Sequence, residues 1–376
     1  MAADVFISAG EASGDLQAAL LVDSVRKLRP RTSFAAVGSS RLRAAGASLV
    51  ADSSEWASIG PVSALGRVPA LYRALRRLEA MLAADPPRLL VTVDFGAFHI
   101  RLLQRLRRNG YTGDAVYYFP PGAWLDDPGQ ARAVAAVSTA LTPFAHQRDF
   151  YDGVGVRAQY FGHPLVSVIP SRPPPPRHAA PHIAIFPGSR REEVARHLPT
   201  LARAAALSQR LSVRWQIVAA SPARRAQITA GWKRFGGPLA AVEVTATEQA
   251  LDSADLAWVA SGTAVLEAAL RGVVQIAFYR VSELQYHIAR RRLPRLVAGP
   301  ITLPNLVLGR RFIPELLQHR FTPQALAAET AELLASEGDR SGQLRSGAEL
   351  RAALGPPDAL MRIARFVASR LESAPR

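Results

Sequence analysis

Short apolar runs alternate with amphipathic stretches through the N-terminal half of the chain. Residues 5–9 precede a helical pattern over 15–28, 34–37 precede 41–45, 89–93 precede 100–108, and 115–119 precede 129–137. This strand-then-helix rhythm predicts a parallel sheet covered by helices, an α/β fold. The run from Pro170 to Arg177 is too rich in proline for a helix or a central strand, and it predicts a stiff extended linker. Beyond it the rhythm restarts, with strands expected over 182–186, 215–219, 242–244, 255–260 and 274–279. From Thr322 onward the pattern is mainly helical, with a glycine and serine break expected around 337–347. No tandem repeat of short period interrupts this organisation.

Two of the predicted strands run into turns suited to anions. The strand 182–186 leads into Pro187-Gly188-Ser189-Arg190 and then a helix; 255–260 leads into Ser261-Gly262-Thr263 and a helix carrying Glu267. A helix start presents unpaired backbone N–H groups and the positive end of a dipole, and Arg190 adds a planar cation matched to phosphate oxygens. Taken singly, each turn also fits an ordinary strand-to-helix connection, with Arg190 a solvated charge and Glu267 a surface glutamate. As a pair they point to a diphosphate held between two helix starts, with Glu267, one turn beyond Thr263, accepting hydrogen bonds from ribose hydroxyls.

Composition narrows the picture. A chain of 376 residues with 49% hydrophobic and 20% charged content predicts a globular protein of two domains. The formal charge of +16 comes from arginine, since Lys27 and Lys233 are the two lysines. So strong an arginine bias fits a GC-rich genome and weakens the case for nucleic acid as a partner. The positive field still favours phosphorylated substrates or an anionic membrane surface. With no cysteine, disulfides, thiolate metal sites and cysteine nucleophiles are excluded. Residues 1–10 read as a strand entering a glycine loop and not as a signal peptide, and no apolar run reaches the ~18–20 residues of a spanning helix. The expected location is the cytoplasm, in contact with the inner membrane. The first loop, Gly10-Glu11-Ala12-Ser13-Gly14-Asp15, lacks the G-x-G-x-x-G spacing of a dinucleotide-binding dehydrogenase.

Several motifs in order resemble the bacterial lipid-A-disaccharide synthases, a family of inverting glycosyltransferases. These are Ala9 through Asp15, Phe161-Gly162-His163-Pro164, the Pro-Gly-Ser-Arg and Ser-Gly-Thr-Ala turns, Leu303-Pro304-Asn305-Leu306 with Gly309, and Glu315-Leu316-Leu317-Gln318. The resemblance implies two parallel-sheet, Rossmann-like domains of the glycosyltransferase B type facing each other across a cleft. It implies an acceptor-binding domain over 1–165, a linker over 166–181, a nucleotide-sugar domain over 182–335, and a helical segment over 336–376 packing back on the first domain. The implied donor is a UDP-activated diacylglucosamine and the acceptor an acylated glucosamine 1-phosphate, with no cofactor or metal, an anionic membrane surface as partner and a possible homodimer.

By position the resemblance makes Asp94 the essential carboxylate, Arg190 the diphosphate ligand and Asn305 a site amide, with Gly10, Glu11, Ser13 and Gly14 in the acceptor loop. Gly188, Ser189, Ser261, Gly262, Thr263 and Glu267 complete the donor site. Asp94 also stands out on its own, as a carboxylate at the end of the apolar run 89–93, where a base for an attacking hydroxyl is useful; the alternative is a turn or capping aspartate. The family's Pro-Asp-Phe-Asn run after that aspartate is replaced by Phe95-Gly96-Ala97-Phe98-His99, and its Trp-Ala-Trp-Arg loop by residues 120–127. Ala145 and Ser167 replace two further acidic positions. All four departures fall in the acceptor half, so an altered acceptor, a related nucleotide-sugar enzyme such as an epimerase, or a degenerate binding relative are the competing readings. His99 is a candidate replacement base, against a cap or packed histidine. Asp126-Asp127 reads as a turn more than as a metal pair.

Residues 59–82, with arginines 67, 73, 76 and 77 among apolar positions, read as a covering helix or as a membrane-docking helix. A second basic apolar stretch, 286–297, suits membrane attachment or subunit contacts.

Overall fold

Runs of apolar residues with no polar alternation become strands buried on both faces. The computed structural model describes residues 3–53, 64–121, 127–171, 178–292 and 299–373. The chain divides into two compact units, Met1–Val168 with Leu354–Arg376, and Ile169–Ala353.

In the first unit the strands are β1 (Val5–Ala9), β2 (Phe34–Gly38), β3 (Ser48–Asp52), β4 (Leu89–Val93), β5 (Asp114–Tyr118), β6 (Thr139–Thr142) and β7 (Gln159–Tyr160). They form one sheet in the order β3-β2-β1-β4-β5-β6-β7, all neighbours parallel. β1 and β4 are wholly buried, whereas the edge strand β3 alternates between exposed and half-buried positions. One sheet face carries the helices Ala12–Leu28 and Ala359–Ser373, through Ala18, Val22, Val25, Ile363, Ala364 and Val367. The other carries Ala64–Ala84 and Gly96–Arg108, through Leu75, Leu78, Leu82, Leu102, Leu103 and Leu106. The covering-helix reading therefore holds for residues 75–82. Glu79, buried on that helix, pairs with Arg105 at 2.8 Å and accepts from Asn109 at 2.6 Å. Residues 59–63 lie outside the described residues.

The second unit contains β8 (His182–Phe186), β9 (Arg214–Val218), β10 (Ala241–Glu243), β11 (Leu256–Ala260), β12 (Gln275–Tyr279) and β13 (Glu315–Leu317). Their order is β10-β9-β8-β11-β12-β13, again parallel throughout. The core on one face joins Val194, Leu198 and Leu201 to Ile228, Trp232, Trp258 and Phe278.

The C-terminal segment departs from expectation. The stretch 337–347 is no break: Glu337–Ala353 is one helix, and it belongs to the second unit. Its small residues serve close packing, since a Cβ on Gly347 would stand 3.0 Å from the carbonyl oxygen of Ala269. Gln343 on this helix donates to Gln275 O and accepts from Gln275 N, at 3.1 and 3.0 Å. Only the final helix, Ala359–Ser373, returns to the first unit, where Arg370 clamps Asp114 with bonds of 2.6 and 2.7 Å. The division between units falls at Val168/Ile169, within the span expected for the linker; residues 172–177 lie outside the described residues.

Candidate active site

Parallel sheets bind ligands beyond the carboxyl ends of their strands, where the strand order reverses. In the second unit the chain runs from β8 outward to β10, then returns to place β11 on the other side of β8. The reversal point lies between β8 and β11, paired with Phe186 opposite Val259. Both anion-suited turns leave the sheet there. The pairing thus brings Pro187–Arg190 and Ser261–Thr263 side by side at the carboxyl end of one sheet.

The first turn is tightly specified. Gly188 has φ +114, a left-handed region costly for other residues, and a Cβ there would stand 3.0 Å from the Glu193 carboxylate. Arg190 is the N-cap of the helix Arg191–Leu207. Its Nη1 donates to Glu193 Oε1 at 2.8 Å, and the Tyr279 hydroxyl donates to the same oxygen at 3.0 Å. Burial, and then the Glu193 charge, push the Tyr279 phenol up to about 12, so it keeps its proton for that bond. His197, wholly buried, spans the turn from below: Nδ1 bonds to Pro187 O at 2.8 Å and Nε2 accepts from Arg280 N at 3.1 Å. A carbonyl only accepts, so Nδ1 carries the hydrogen. Burial lowers this ring's pKa and keeps it neutral.

The second turn follows β11 with Ser261 N bonded to Phe278 O at 2.9 Å. Gly262, exposed and extended, caps the helix Thr263–Leu270, and half-buried Glu267 lies one turn further along. Both turns leave the leading N–H groups of a helix at the reversal point, as an anionic ligand requires.

Asn305 has a different role from the one expected. It is fully buried, its Nδ2 donates to Ile313 O and Glu315 Oε1 at 2.9 Å each, and its Oδ1 accepts from Phe312 N and Ile313 N at 3.0 and 3.1 Å. All four bonding positions of the amide are taken. Glu315 accepts in addition from Thr302 N and Oγ1, both at 2.8 Å. Asn305 is therefore a brace that sets the entry to β13, and does not present its amide to a ligand.

In the first unit the order reverses between β1 and β4, paired with Ala9 opposite Val93. Gly10 and Asp94 follow those strands. A Cβ on Gly10 would fall 2.4 Å from the Phe95 ring, so glycine is needed where the two loops cross. Glu11 occupies the N-cap position of the helix Ala12–Leu28; Ser13 and Gly14 lie in its first turn, with Gly14 buried. Asp15 of the same motif accepts from Ser39 N and Oγ, both at 2.6 Å, and fixes the neighbouring loop after β2.

Asp94 is half-buried at the end of β4, and it and Phe95 have φ of +52 and +56. Two successive left-handed residues other than glycine store about 1–3 kcal/mol each, a strain associated with functional sites. His99 is not a base poised for substrate. It is wholly buried, with Nδ1 bonded to Asp94 O at 2.7 Å and Nε2 to Ser8 Oγ at 2.8 Å. Because Asp94 O can only accept, Nδ1 carries the hydrogen and Nε2 accepts from the serine. Burial lowers the ring to about 4, so it is neutral at pH 7. The Tyr117 hydroxyl gives Asp94 O a second bond, at 2.9 Å.

Asp127 caps the helix Pro128–Ala135 by accepting from Gly129 N and Gln130 N, as a turn residue does; residues 122–126 lie outside the described residues. Ser167 Oγ accepts from Leu360 N and starts the final helix. Glu193, Tyr279, His197 and Tyr117 were not singled out from sequence. The one signal was the Arg190–Glu193 spacing, that of an N-cap and its third helical residue.

Solved structures share this architecture at low identity. The UDP-GlcNAc 2-epimerase of Neisseria meningitidis bound to UDP-GlcNAc superposes with a TM-score of 0.63 at 9% identity, covering 97% of this chain and 99% of that one. The calicheamicin glycosyltransferase CalG4 gives 0.58 at 18%, covering 100% of both. Epimerases and glycosyltransferases thus share the fold, which by itself does not choose between them. Sequence does: the family model described as lipid-A-disaccharide synthetase matches residues 5–356. The lipid-A-disaccharide synthase of Myxococcus xanthus is 34% identical over 376 residues, covering 96% of each chain. With the model matched across both sheets and their turns, this chain belongs to the lipid-A-disaccharide synthase family.

Proposed function

We propose that the protein transfers a diacylglucosamine from its UDP derivative to an acylated glucosamine 1-phosphate, forming a β-linked disaccharide and releasing UDP. The observation that carries this reading is the pairing of β8 with β11, which sets the Gly188–Arg190 and Ser261–Thr263 turns side by side in a chain of this family. The diphosphate lies against the two helix starts with Arg190, and Glu267 accepts from the ribose. The acceptor oxygen attacks the anomeric carbon as the bond to the diphosphate breaks, and Asp94 takes the hydroxyl proton. A single displacement inverts the anomeric centre. The charge growing on UDP is stabilised by Arg190 and the helix N–H groups, without need of a metal.

The same reading takes the protein to an anionic membrane surface, where its acylated substrates reside. Among the described residues no helix is long and apolar enough to cross a membrane. Support for surface attachment comes from the helix Glu283–Arg292, which exposes Leu284 and Ile288 beside Arg290 and Arg291.

The decisive experiment incubates the protein with UDP-2,3-diacylglucosamine and diacylglucosamine 1-phosphate and weighs the products. A disaccharide monophosphate with one UDP per turnover is expected. An epimerised donor, or no product with UDP still bound, would replace this reading with an epimerase or a binding relative.

A further inference from the structure

The polypeptide at the end of β4 is held in a shape it does not adopt by local preference. Asp94 N donates to Tyr118 O at 3.0 Å, as if the strand continued, yet Asp94 and Phe95 both turn left-handed before the helix Gly96–Arg108 begins. One atom collects the restoring contacts. The main-chain oxygen of Asp94 accepts from His99 Nδ1 at 2.7 Å and from the Tyr117 hydroxyl at 2.9 Å, and both donors are wholly buried. Behind His99, Ser8 Oγ at 2.8 Å from Nε2 fixes the ring's tautomer and orientation from the neighbouring strand β1. Phe95, Phe98 and Tyr117 stand edge-on around the ring, with centroids 5.6–6.0 Å away.

We propose that His99 and Tyr117 are positioning residues of the transfer reaction, a two-donor brace that holds the strained backbone from which the Asp94 carboxylate projects. The proposal rests on Asp94 being the group that receives the acceptor's proton. His99 contributes through its Nδ1–H alone; its other nitrogen serves only to orient the ring. The brace spans three adjacent strands, with Ser8 from β1, Tyr117 from β5 and Asp94 at the end of β4, so displacement of any one donor lets the loop relax toward ordinary backbone angles. Misplacement of a reacting group by about 1 Å costs up to a hundredfold in rate, which sets the size of the effect.

The two nitrogens of His99 separate by substitution. An asparagine amide occupies nearly the place of Nδ1, whereas a glutamine amide reaches that of Nε2. His99→Asn therefore keeps a donor for Asp94 O, and His99→Gln keeps only the contact to Ser8. Tyr117→Phe removes the second donor with almost no change of shape. With the full chain and the two acylated substrates, His99→Gln and Tyr117→Phe are expected to lower kcat by about ten- to a hundredfold. UDP affinity and the KM for the UDP donor should stay within about twofold, and His99→Asn should keep most of the turnover. Asp94→Asn is measured alongside. If Asp94→Asn is inactive while His99→Gln and Tyr117→Phe turn over as the parent does, the brace is refuted and the role of Asp94 stands. If His99→Asn falls as far as His99→Gln, with an equal loss of thermal stability, the ring acts only by packing. If Asp94→Asn keeps parental turnover, the reading of Asp94 fails and the brace fails with it. Should His99→Gln not fold, Tyr117→Phe decides the question.

Discussion

At the scale of single residues, the proposed reaction puts two side chains to different uses. Arg190 is not a loose surface charge: Glu193 holds its guanidinium at 2.8 Å, and Tyr279 holds Glu193 in turn. A preset cation loses less freedom when a diphosphate arrives, so truncation removes a formed contact. Charged hydrogen bonds are worth about 1.5–3 kcal/mol, and Arg190→Ala is expected to weaken UDP binding roughly tenfold or more while the thermal midpoint barely moves. Calorimetric titration with UDP checks this, and unchanged affinity would remove Arg190 from the donor site. In the proposed reaction Asp94 takes the acceptor's proton and makes no contact with the donor's diphosphate, so its loss is expected to fall on turnover and not on donor binding. Asp94→Asn keeps the size of the side chain but cannot accept a proton as a carboxylate does; loss of a general base costs about 100- to 10,000-fold. Near-parental UDP affinity with almost no disaccharide is the expected pair of results. Asn305 and His99 show the opposite case, residues whose chemistry is spent internally. Their motif positions were visible in the sequence, but their hydrogen-bond partners, Ile313 and Glu315 for one and Ser8 and Asp94 for the other, were not.

At the scale of elements, the strands that were legible are those buried on both faces. β1, β4, β8 and β11 are buried at every position and read as mostly apolar runs, with only Ser8, Thr92 and His182 polar among them, because helices cover both sides of the sheets there. β3, β6, β7 and β13 carry no such signature: they are short or lie at the edges, where no long apolar run is required. The basic helices divide in the same physical way. In Ala64–Ala84 the apolar positions 75, 78 and 82 are consumed by the core. In Glu283–Arg292, Leu284 and Ile288 lie one turn apart and are 60% and 46% exposed, flanked by exposed Arg290 and Arg291. Burying such side chains yields about 1.5–3 kcal/mol each, and each basic residue near an anionic surface adds about 1 kcal/mol. The protein should therefore sediment with vesicles containing anionic phospholipid at low salt and be partly released as salt rises. Replacing Leu284 and Ile288 together by glutamate should reduce sedimentation at least several-fold. Equal sedimentation of parent and variant would assign membrane contact, if any, to another face.

At the scale of the whole molecule, both units enclose neutral histidines, and this couples stability to pH. Burial lowers His99 to about 4 and His163 to about 3, and lowers His197 and His182 as well. Each ring binds a proton near its ordinary value of 6.5 only when the chain unfolds. Between pH 6.5 and about 4 the unfolded chain thus holds more protons, and stability falls as pH drops through that window, while above 6.5 the contribution is complete. For His99 alone the difference amounts to about 3 kcal/mol. Chemical denaturation at pH 7.5 and 5.0 should show a clearly lower midpoint at 5.0; equal midpoints would mean the rings take up protons in the folded state. What the sequence determined by itself was local: the buried apolar strands, and that glycine and serine end two of them ahead of helices, whereas helices expected from residues 15 and 100 begin at Ala12 and Gly96. These follow from apolar patterning and backbone sterics within a few residues. Which strands lie side by side is another matter, because order in a sheet is chosen by long-range packing. Only the tertiary structure set β11 against β8 and so joined two turns far apart in the chain. It likewise decided that the polar atoms of His99 and Asn305 are spent on internal partners, since the role of a buried polar group depends on the distant partners that satisfy it.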